Sequence, residues 1–269
     1  MLYQRLAVLL LAVPALGLAM ATADELDPAR VAYVEDFCQG LPLVRGDLAS
    51  ADAGTHARAN PHFEIQGRVE DAYTGITLPD KEPDGSIHFG TVGALDDIAV
   101  IRPHRSVQAG EVTAWNTTAW PVEKNLSWEC LLRNGSASWN IKSVFAGLKT
   151  SADPAPDQDG VYFRWDHQAS RDRWLAVESA GGTTTTTELT SHPAGIFTRF
   201  EEMHLKIETY YEAQMGAWRA RFYIDGQLLH TSGPLTATAE LVPFVGIKQV
   251  AMSNGEWLFV RGLALARDF

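Results

Sequence analysis

The stretch RARFYIDGQLLHTSG, residues 219–233, decides the fold. Its two arms alternate in character. The Asp225-Gly226 pair between them suits a two-residue hairpin turn, whose central positions both need positive φ. Taken with the residue before it, the first arm puts Trp218, Ala220, Phe222 and Ile224 on one face of a period-two strand. Arg219, Arg221 and Tyr223 fall on the other. One face is written for a core, and the opposite face is basic and phenolic.

The same pattern recurs around this hairpin. VYFRWDH (161–167) sets Val161, Phe163, Trp165 and His167 against Tyr162, Arg164 and Asp166. HLKIETY (204–210) sets Leu205 and Ile207 against His204, Lys206, Glu208 and Tyr210. Short apolar alternations bounded by Gly, Pro, Asn and Asp predict strands over 62–69, 98–102, 126–133, 141–148, 161–167, 174–179, 183–189, 204–211, 218–224, 227–231, 242–247 and 258–266. GGTTTTTE (181–188) reads as a turn followed by a β-branched strand. Only 27–33 and 193–197 read as short helical turns. So many strands in one chain require two stacked antiparallel sheets, an all-β sandwich. No fixed-period repeat or linker divides it, and TSADPAPDQDG (150–160) reads as a loop between strands.

MLYQRLAVLLLAVPALGLAMATADE (1–25) carries one arginine, an apolar run from Leu6 to about Ala21, and small residues ahead of Asp24. That is the layout of a secretory signal peptide over residues 1–23, with 24–269 as one mature domain. A membrane anchor would have to tolerate Pro14 and Gly17 inside the run. No later stretch reaches the ~20 apolar residues of a membrane helix, so the mature chain is expected not to be an integral membrane protein. A secreted chain, extracellular or periplasmic, is the expectation. Arg5 leaves with the leader, so the net charge of −11 becomes −12. Such an acidic chain has no electrostatic attraction for nucleic acid. An exported chain with Cys38 and Cys130 permits one disulfide between them, or two buried free thiols.

The order of the segments DGVYFRWDHQASRDRWLAVESAGGTTTTTELT (159–190), FEEMHLKIETYYEAQMGAWRARFYIDGQLLHTSG (200–233) and PFVGIKQ (243–249) resembles the concanavalin A-like lectin/glucanase superfamily. LamG-like jelly-roll domains of surface proteins are the particular likeness, over about residues 95–250. The resemblance implies an antiparallel jelly-roll sandwich of two curved sheets, with a concave face that often holds a saccharide. Related jelly rolls often carry a structural calcium near a sheet edge. Here Asp153, Asp157 and Asp159 crowd one loop ahead of Gly160 and are the candidate Ca2+ ligands, although the twelve-residue calcium-loop pattern is not met.

Glucanases of the superfamily use paired acids at Glu-x-Asp-x-x-Glu spacing, because an acid and a nucleophile must flank one glycosidic bond. This chain has no such strand; its acidic clusters are Glu201-Glu202, Asp96-Asp97 and DKEPD (80–84). Alginate-lyase-like members are the better enzymatic comparison. SIHFG (86–90) and PFVGIKQ resemble their histidine and lysine segments only in part, and the Arg-Glu strand is missing. No nucleophile elbow, phosphate loop or zinc spacing of histidines occurs. The expected function is therefore non-catalytic binding of a polysaccharide or glycan surface, with a divergent lyase or hydrolase, or a structural surface protein, as the alternatives. Arg164, Asp166, Lys206, Glu208, Arg219, Arg221 and Tyr223 are the expected groove, since arginine forks pair with sugar carboxylates or sulfates. Trp115, Trp120 and Trp139 are the candidate stacking platforms, while Trp128, Trp165 and Trp218 are in phase with core residues. Asn116, Asn125 and Asn134 head glycosylation sequons.

Overall fold

A computed structural model describes residues 30–35, 44–45, 56–58, 63–68, 77–81, 87–91, 98–103, 119–135, 142–150, 158–166, 173–189, 202–251 and 257–268. In chain order its strands are β1 (Arg30–Glu35), β2 (Val44–Arg45), β3 (His56–Arg58), β4 (Phe63–Arg68), β5 (Thr77–Lys81), β6 (Ile87–Gly90), β7 (Ile98–Pro103), β8 (Ser127–Asn134), β9 (Lys142–Lys149), β10 (Gly160–Asp166), β11 (Trp174–Ala180), β12 (Thr183–Glu188), β13 (Glu202–Glu212), β14 (Ala217–Ile224), β15 (Gln227–Thr231), β16 (Val242–Gln249) and β17 (Trp257–Asp268). A 3-10 turn at Val122–Lys124 is the one helical element among the described residues.

All the pairings are antiparallel, in two sheets. The eight-stranded sheet runs β15-β14-β13-β8-β17-β6-β5, with β1 also on β17; the nine-stranded sheet runs β12-β11-β10-β9-β16-β7-β4-β3-β2. This is a jelly-roll sandwich. Its core lies between the sheets, where Trp128, Leu205, Ile207, Phe222 and Val260 of one meet Val144, Phe163, Trp165 and Val245 of the other, all at 0% exposure. Phe163 makes two edge-on aromatic contacts, with Phe222 of the other sheet at 5.2 Å and with Trp174 of the neighbouring strand at 6.1 Å. Each such ring pair adds about 0.5–1.5 kcal/mol to its area burial.

The hairpin of 219–233 forms as its alternation dictates. Asp225 (φ 49°) and Gly226 (φ 78°) make the turn, and the Asp225 side chain accepts a hydrogen bond from His204 N–H at 2.9 Å. Ala220, Phe222 and Ile224 are buried, whereas Arg219, Arg221 and Tyr223 are half-buried on the outer face.

Several expectations need correction or relocation. Residues 30–33 of the expected helical turn 27–33 are strand, part of β1, because Arg30 to Glu35 pair along β17 from Asp268 to Leu263. An isolated helical turn that short has no stability of its own and yields to the ladder. The other expected turn, 193–197, lies outside the described residues. Trp120 is no surface platform: it is 3% exposed in the core. Trp115 and Trp139 lie outside the described residues. Of the sequons, Asn134 is fully buried and Asn125 donates its side-chain amide to Asp268 at 2.5 Å.

Cys130 is a free thiol packed between the sheets, and burial pushes its pKa well up. Its expected partner Cys38, like the leader 1–23, lies outside the described residues. Asp159 is 9% exposed; its side chain accepts from Gly181 N–H at 3.1 Å and its carbonyl from Thr150 N–H at 3.1 Å. It thereby ties the β9–β10 connection to the β11–β12 turn. Asp153 and Asp157 lie outside the described residues.

Candidate functional site

The seven residues expected to share a groove fall on two different surfaces. Strand β10 belongs to the nine-stranded sheet, while β13 and β14 belong to the other. Arg164 and Asp166 therefore stand on one outer face of the sandwich. Lys206, Glu208, Arg219, Arg221 and Tyr223 stand on the opposite one. Side-chain parity within each strand is as the sequence implies, but the expectation of one shared groove does not hold.

On the nine-stranded sheet the register aligns Leu175, Arg164, Phe145, Gly246 and Val100 in one row across five strands. The next row holds Val177, Tyr162, Gly147 and Phe244. These apolar side chains form a second cluster, from 1% exposed at Phe244 to 8% at Leu175. An outer sheet face this deeply buried is covered, and its rings expose almost no area. Arg164 reaches out of it, 35% exposed, with its guanidinium 5.9 Å from the Phe145 ring. Its Nη2 donates to Asp166 Oδ2 at 2.7 Å, and Ser143 Oγ donates to that same oxygen at 2.9 Å. Arg164 Nε is buried and finds no acceptor among the described residues. Beside it Tyr162 meets Phe244 edge-on at 5.7 Å, and the buried Lys149 Nζ lies 5.5 and 5.4 Å from those two rings. A cation oriented by an acid, next to aromatic rings, is the equipment of a polar-plus-stacking site.

The eight-stranded sheet's outer face is a closed ionic mesh. Cross-strand pairing sets Lys206 beside Glu129 and Tyr223, and Glu208 beside Arg221. Lys206 Nζ lies 3.1 Å from Glu129 and 2.9 Å from Glu208, and His204 Nε2 lies 3.1 Å from Glu129. Arg219 pairs with Glu212 and donates Nε–H to the Ser232 carbonyl. Arg221 lies 3.9 Å over the Tyr210 ring. Burial works to raise the Glu129 pKa, but its bonds to His204 and Lys206 outweigh that and hold it below the usual value. Burial works to lower Lys206, but Glu208 and Glu129 hold it above its usual value. Tyr223 is raised, first by burial and then by the neighbouring Glu208.

Glu129 escapes the sequence pattern. In SWECLLRN (127–134) the outward positions are Ser127, Glu129, Leu131 and Arg133, and a buried Leu131 among them blurs the polar face. Its position opposite Lys206 is a fact of register, which no single strand shows. Through the 3.1 and 2.9 Å legs to Lys206, the bonding oxygens of Glu129 and Glu208 are at most about 6 Å apart, close to the ~5–5.5 Å carboxyl spacing of retaining glycosidases. Such chemistry needs one carboxylic acid with a raised pKa. Glu129 is shifted the other way. The two lyase-like segments also separate, since 86–90 contains β6 of the eight-stranded sheet and PFVGIKQ falls within β16 of the other.

No family model and no curated protein matches the chain. Among solved structures, one from work on endo-acting O-glycanases of the human gut microbiota that initiate mucin breakdown is similar at 10% identity. It has a TM-score of 0.55, covering 88% of this chain and 98% of that one. A Bacillus licheniformis beta-glucanase is similar at 9% identity and TM-score 0.48, over 87% of this chain and 97% of the other. A botulinum neurotoxin type C structure, from work on cell entry through two ganglioside molecules, matches at 8% identity and TM-score 0.46. That match covers 81% of this chain, which spans about half (49%) of the toxin chain's length. At these identities the likeness is one of fold. The chain has the concanavalin A-like jelly-roll fold. Among the described residues no helix is long and apolar enough to cross a membrane.

Proposed function

We propose that this protein is a secreted, non-catalytic carbohydrate-binding module that holds its glycan at Arg164, on the outer face of the nine-stranded sheet. The observation that carries this is Arg164, held by Asp166 beside the Phe145 ring and 35% exposed on the outer face. The arginines of the opposite face already have partners, Arg219 in Glu212 and Arg221 in the Tyr210 ring. A ligand at Arg219 would have to compete with its ion pair, whereas the Arg164 guanidinium bonds Asp166 through Nη2 and remains partly exposed. A guanidinium beside aromatic rings suits a sugar that carries a carboxylate or sulfate. The likeness in fold to a structure from work on mucin-active O-glycanases supports a glycan ligand in general and does not choose the sugar.

Titration of the protein with alginate and with sulfated and neutral polysaccharides, followed by calorimetry, tests the proposal. Arg164→Ala should weaken binding to an acidic polymer at least tenfold, about 1.4 kcal/mol, while Arg164→Lys retains part of it. Arg219→Ala with Arg221→Ala should leave binding unchanged. The reverse pattern would move the site to the eight-stranded sheet. Growth of unsaturated-product absorbance during incubation with alginate would replace the binding module with a lyase.

A further inference from the structure

Strand β12, sequence TTTTTE, is the terminal strand of the nine-stranded sheet and, among the described strands, bonds only to β11. Apart from Thr187, half-buried, its residues are exposed. The β11–β12 hairpin turns on Gly181 (φ 56°) and Gly182 (φ 83°), flanked by the Ala180–Thr183 pair. In a two-residue hairpin that flanking pair is hydrogen-bonded, and bonding then alternates along the ladder. Thr183, Thr185 and Thr187 therefore turn their backbone N–H and C=O toward β11. Thr184, Thr186 and Glu188 turn theirs outward. The 2.8 Å contact between the Ser179 and Thr184 hydroxyls agrees, because side chains approach most closely at non-hydrogen-bonded pairs.

Native edges defend themselves with lysine, proline or a bulge. Strand β12 has no lysine, proline or bulge, and its one charge, Glu188 at the end, is paired with Arg173 at 2.5 Å. On the same flank, where Glu178 of β11 accepts from Gly233 N–H just beyond β15, the edge strand β15 is guarded by a bulge in its pairing with β14 at Phe222/Tyr223.

We infer that β12 is a self-association edge, pairing antiparallel with β12 of a second copy of this chain about a two-fold axis through Thr186. A two-fold contact needs a strand that complements itself, and a run of identical threonines reads alike in both directions. Centring on Thr186 matches outward groups with outward groups, for about six backbone hydrogen bonds between the copies. It also sets Glu188 against Thr184 of the second copy rather than against another Glu188. In a chain of net charge −11, five uncharged edge residues give a place where copies approach without direct repulsion. Threonine pairs favour the cross-strand contact. The result is one continuous sheet through both molecules.

Sedimentation of the full chain from about 1 μM to about 1 mM, a span matched to weak association, tests the inference. The expected result is a rise toward twice the monomer mass. Thr186→Pro removes an outward N–H and none given to β11, so it should abolish the rise with the far-ultraviolet spectrum unchanged. Thr186→Lys should do the same by charge alone, and Thr186→Val, which keeps the N–H, should still associate. A chain monomeric throughout the range overturns the inference. A dimer that survives both Thr186→Pro and Thr186→Lys but dissolves in Leu228→Asp places the contact on β15 and also overturns it. A monomer that instead binds a synthetic peptide of β12 sequence assigns the edge to a foreign strand, and self-association is again overturned.

Discussion

Lys206 holds two carboxylates together on one sheet face, and removing its charge exposes how much that arrangement is worth. In Lys206→Met the stem is kept and the ammonium is lost, so Glu129 and Glu208 face each other without a cation between them. Their bonding oxygens are at most about 6 Å apart, and at that limit Coulomb's law gives about 0.7 kcal/mol of repulsion in a water-like medium and about 2.8 kcal/mol at an effective dielectric constant of ~20. The side chains are 24% and 33% exposed, so water screens the pair and the lower half of that range applies. Loss of the two ion pairs adds a few tenths of a kcal/mol each. The expected cost is about 1–2 kcal/mol in urea unfolding at pH 7 and low salt.

Three features identify the cause. The cost should fall as salt rises, since part of the repulsion runs through solvent. It should shrink near pH 4, where a carboxyl deprived of its lysine begins to protonate. Glu129→Gln added to Lys206→Met should recover much of the loss, although Glu129→Gln alone is destabilising. A Lys206→Met cost independent of pH and salt, or one that Glu129→Gln deepens, would refute the electrostatic account and leave lost packing of the lysine stem.

Other measurements follow from the same geometry. Because the folded-state pKa of Glu129 is depressed, its contribution is present above its ordinary value of 4.5 and disappears as pH falls through the folded value. Lys206, raised, contributes fully below its ordinary 10.5 and loses that contribution as pH rises through its folded value. The stability difference between wild type and Lys206→Met should therefore be greatest between those limits. Glu178→Ala removes the acceptor of Gly233 N–H, a bond that joins the two sheets at one flank; it should cost about 1–3 kcal/mol and speed hydrogen exchange at Gly233 before the core exchanges. Gly147→Ala should cost more than ~2 kcal/mol, because its Cβ would lie 2.6 Å from backbone atoms of Tyr162 and Val161, at a φ of 154°. A loss in thermal unfolding no larger than the roughly 0.5 kcal/mol of an ordinary surface substitution would show that β9 and β10 can move apart there.

Most of the sandwich is legible in the sequence because its strands carry strict alternation. The runs at 161–167, 204–211 and 218–224 each contain apolar positions every second residue, and β10, β13 and β14 form there with those positions mostly buried. The strands that escape, β1, β2, β3, β5 and β6, lie in sequence without that contrast. RVAYVE (30–35) mixes both characters, and TLPDK (77–81) carries a proline and charges. Both are strands because a neighbour offers a ladder to complete: β17 for one, β6 for the other. Tertiary pairing of this kind overrides local preference. Trp120 defies its local pattern for a related reason. It precedes β8 in a segment without period-two signal, and that segment is tied to 237–241 by long-range backbone bonds, among them Leu241 N–H to the Trp120 carbonyl at 3.0 Å.

The division of the candidate site has a simpler geometric origin. Alternation fixes which side of its own sheet a residue occupies, but a sandwich has two sheets, and each has an outer side. Arg164 and Arg221 are equally outward by parity and stand on opposite surfaces of the molecule. Sheet membership is set by pairing: β13 pairs with β8, a strand far earlier in the chain, while β10 pairs with its sequence neighbours β9 and β11. Burial then separates the two faces physically. One is apolar and largely buried, with the Arg164 guanidinium reaching out of it; the other is half-exposed, with Lys206 and Arg219 paired to carboxylates. On the first face the group open to a ligand is the partly exposed Arg164 guanidinium, since the aromatic rings beside it are already buried. The decisive comparison is Arg164→Ala against the Arg219→Ala, Arg221→Ala pair in a single binding assay, because the two sets share residue type and parity and differ only in which sheet carries them.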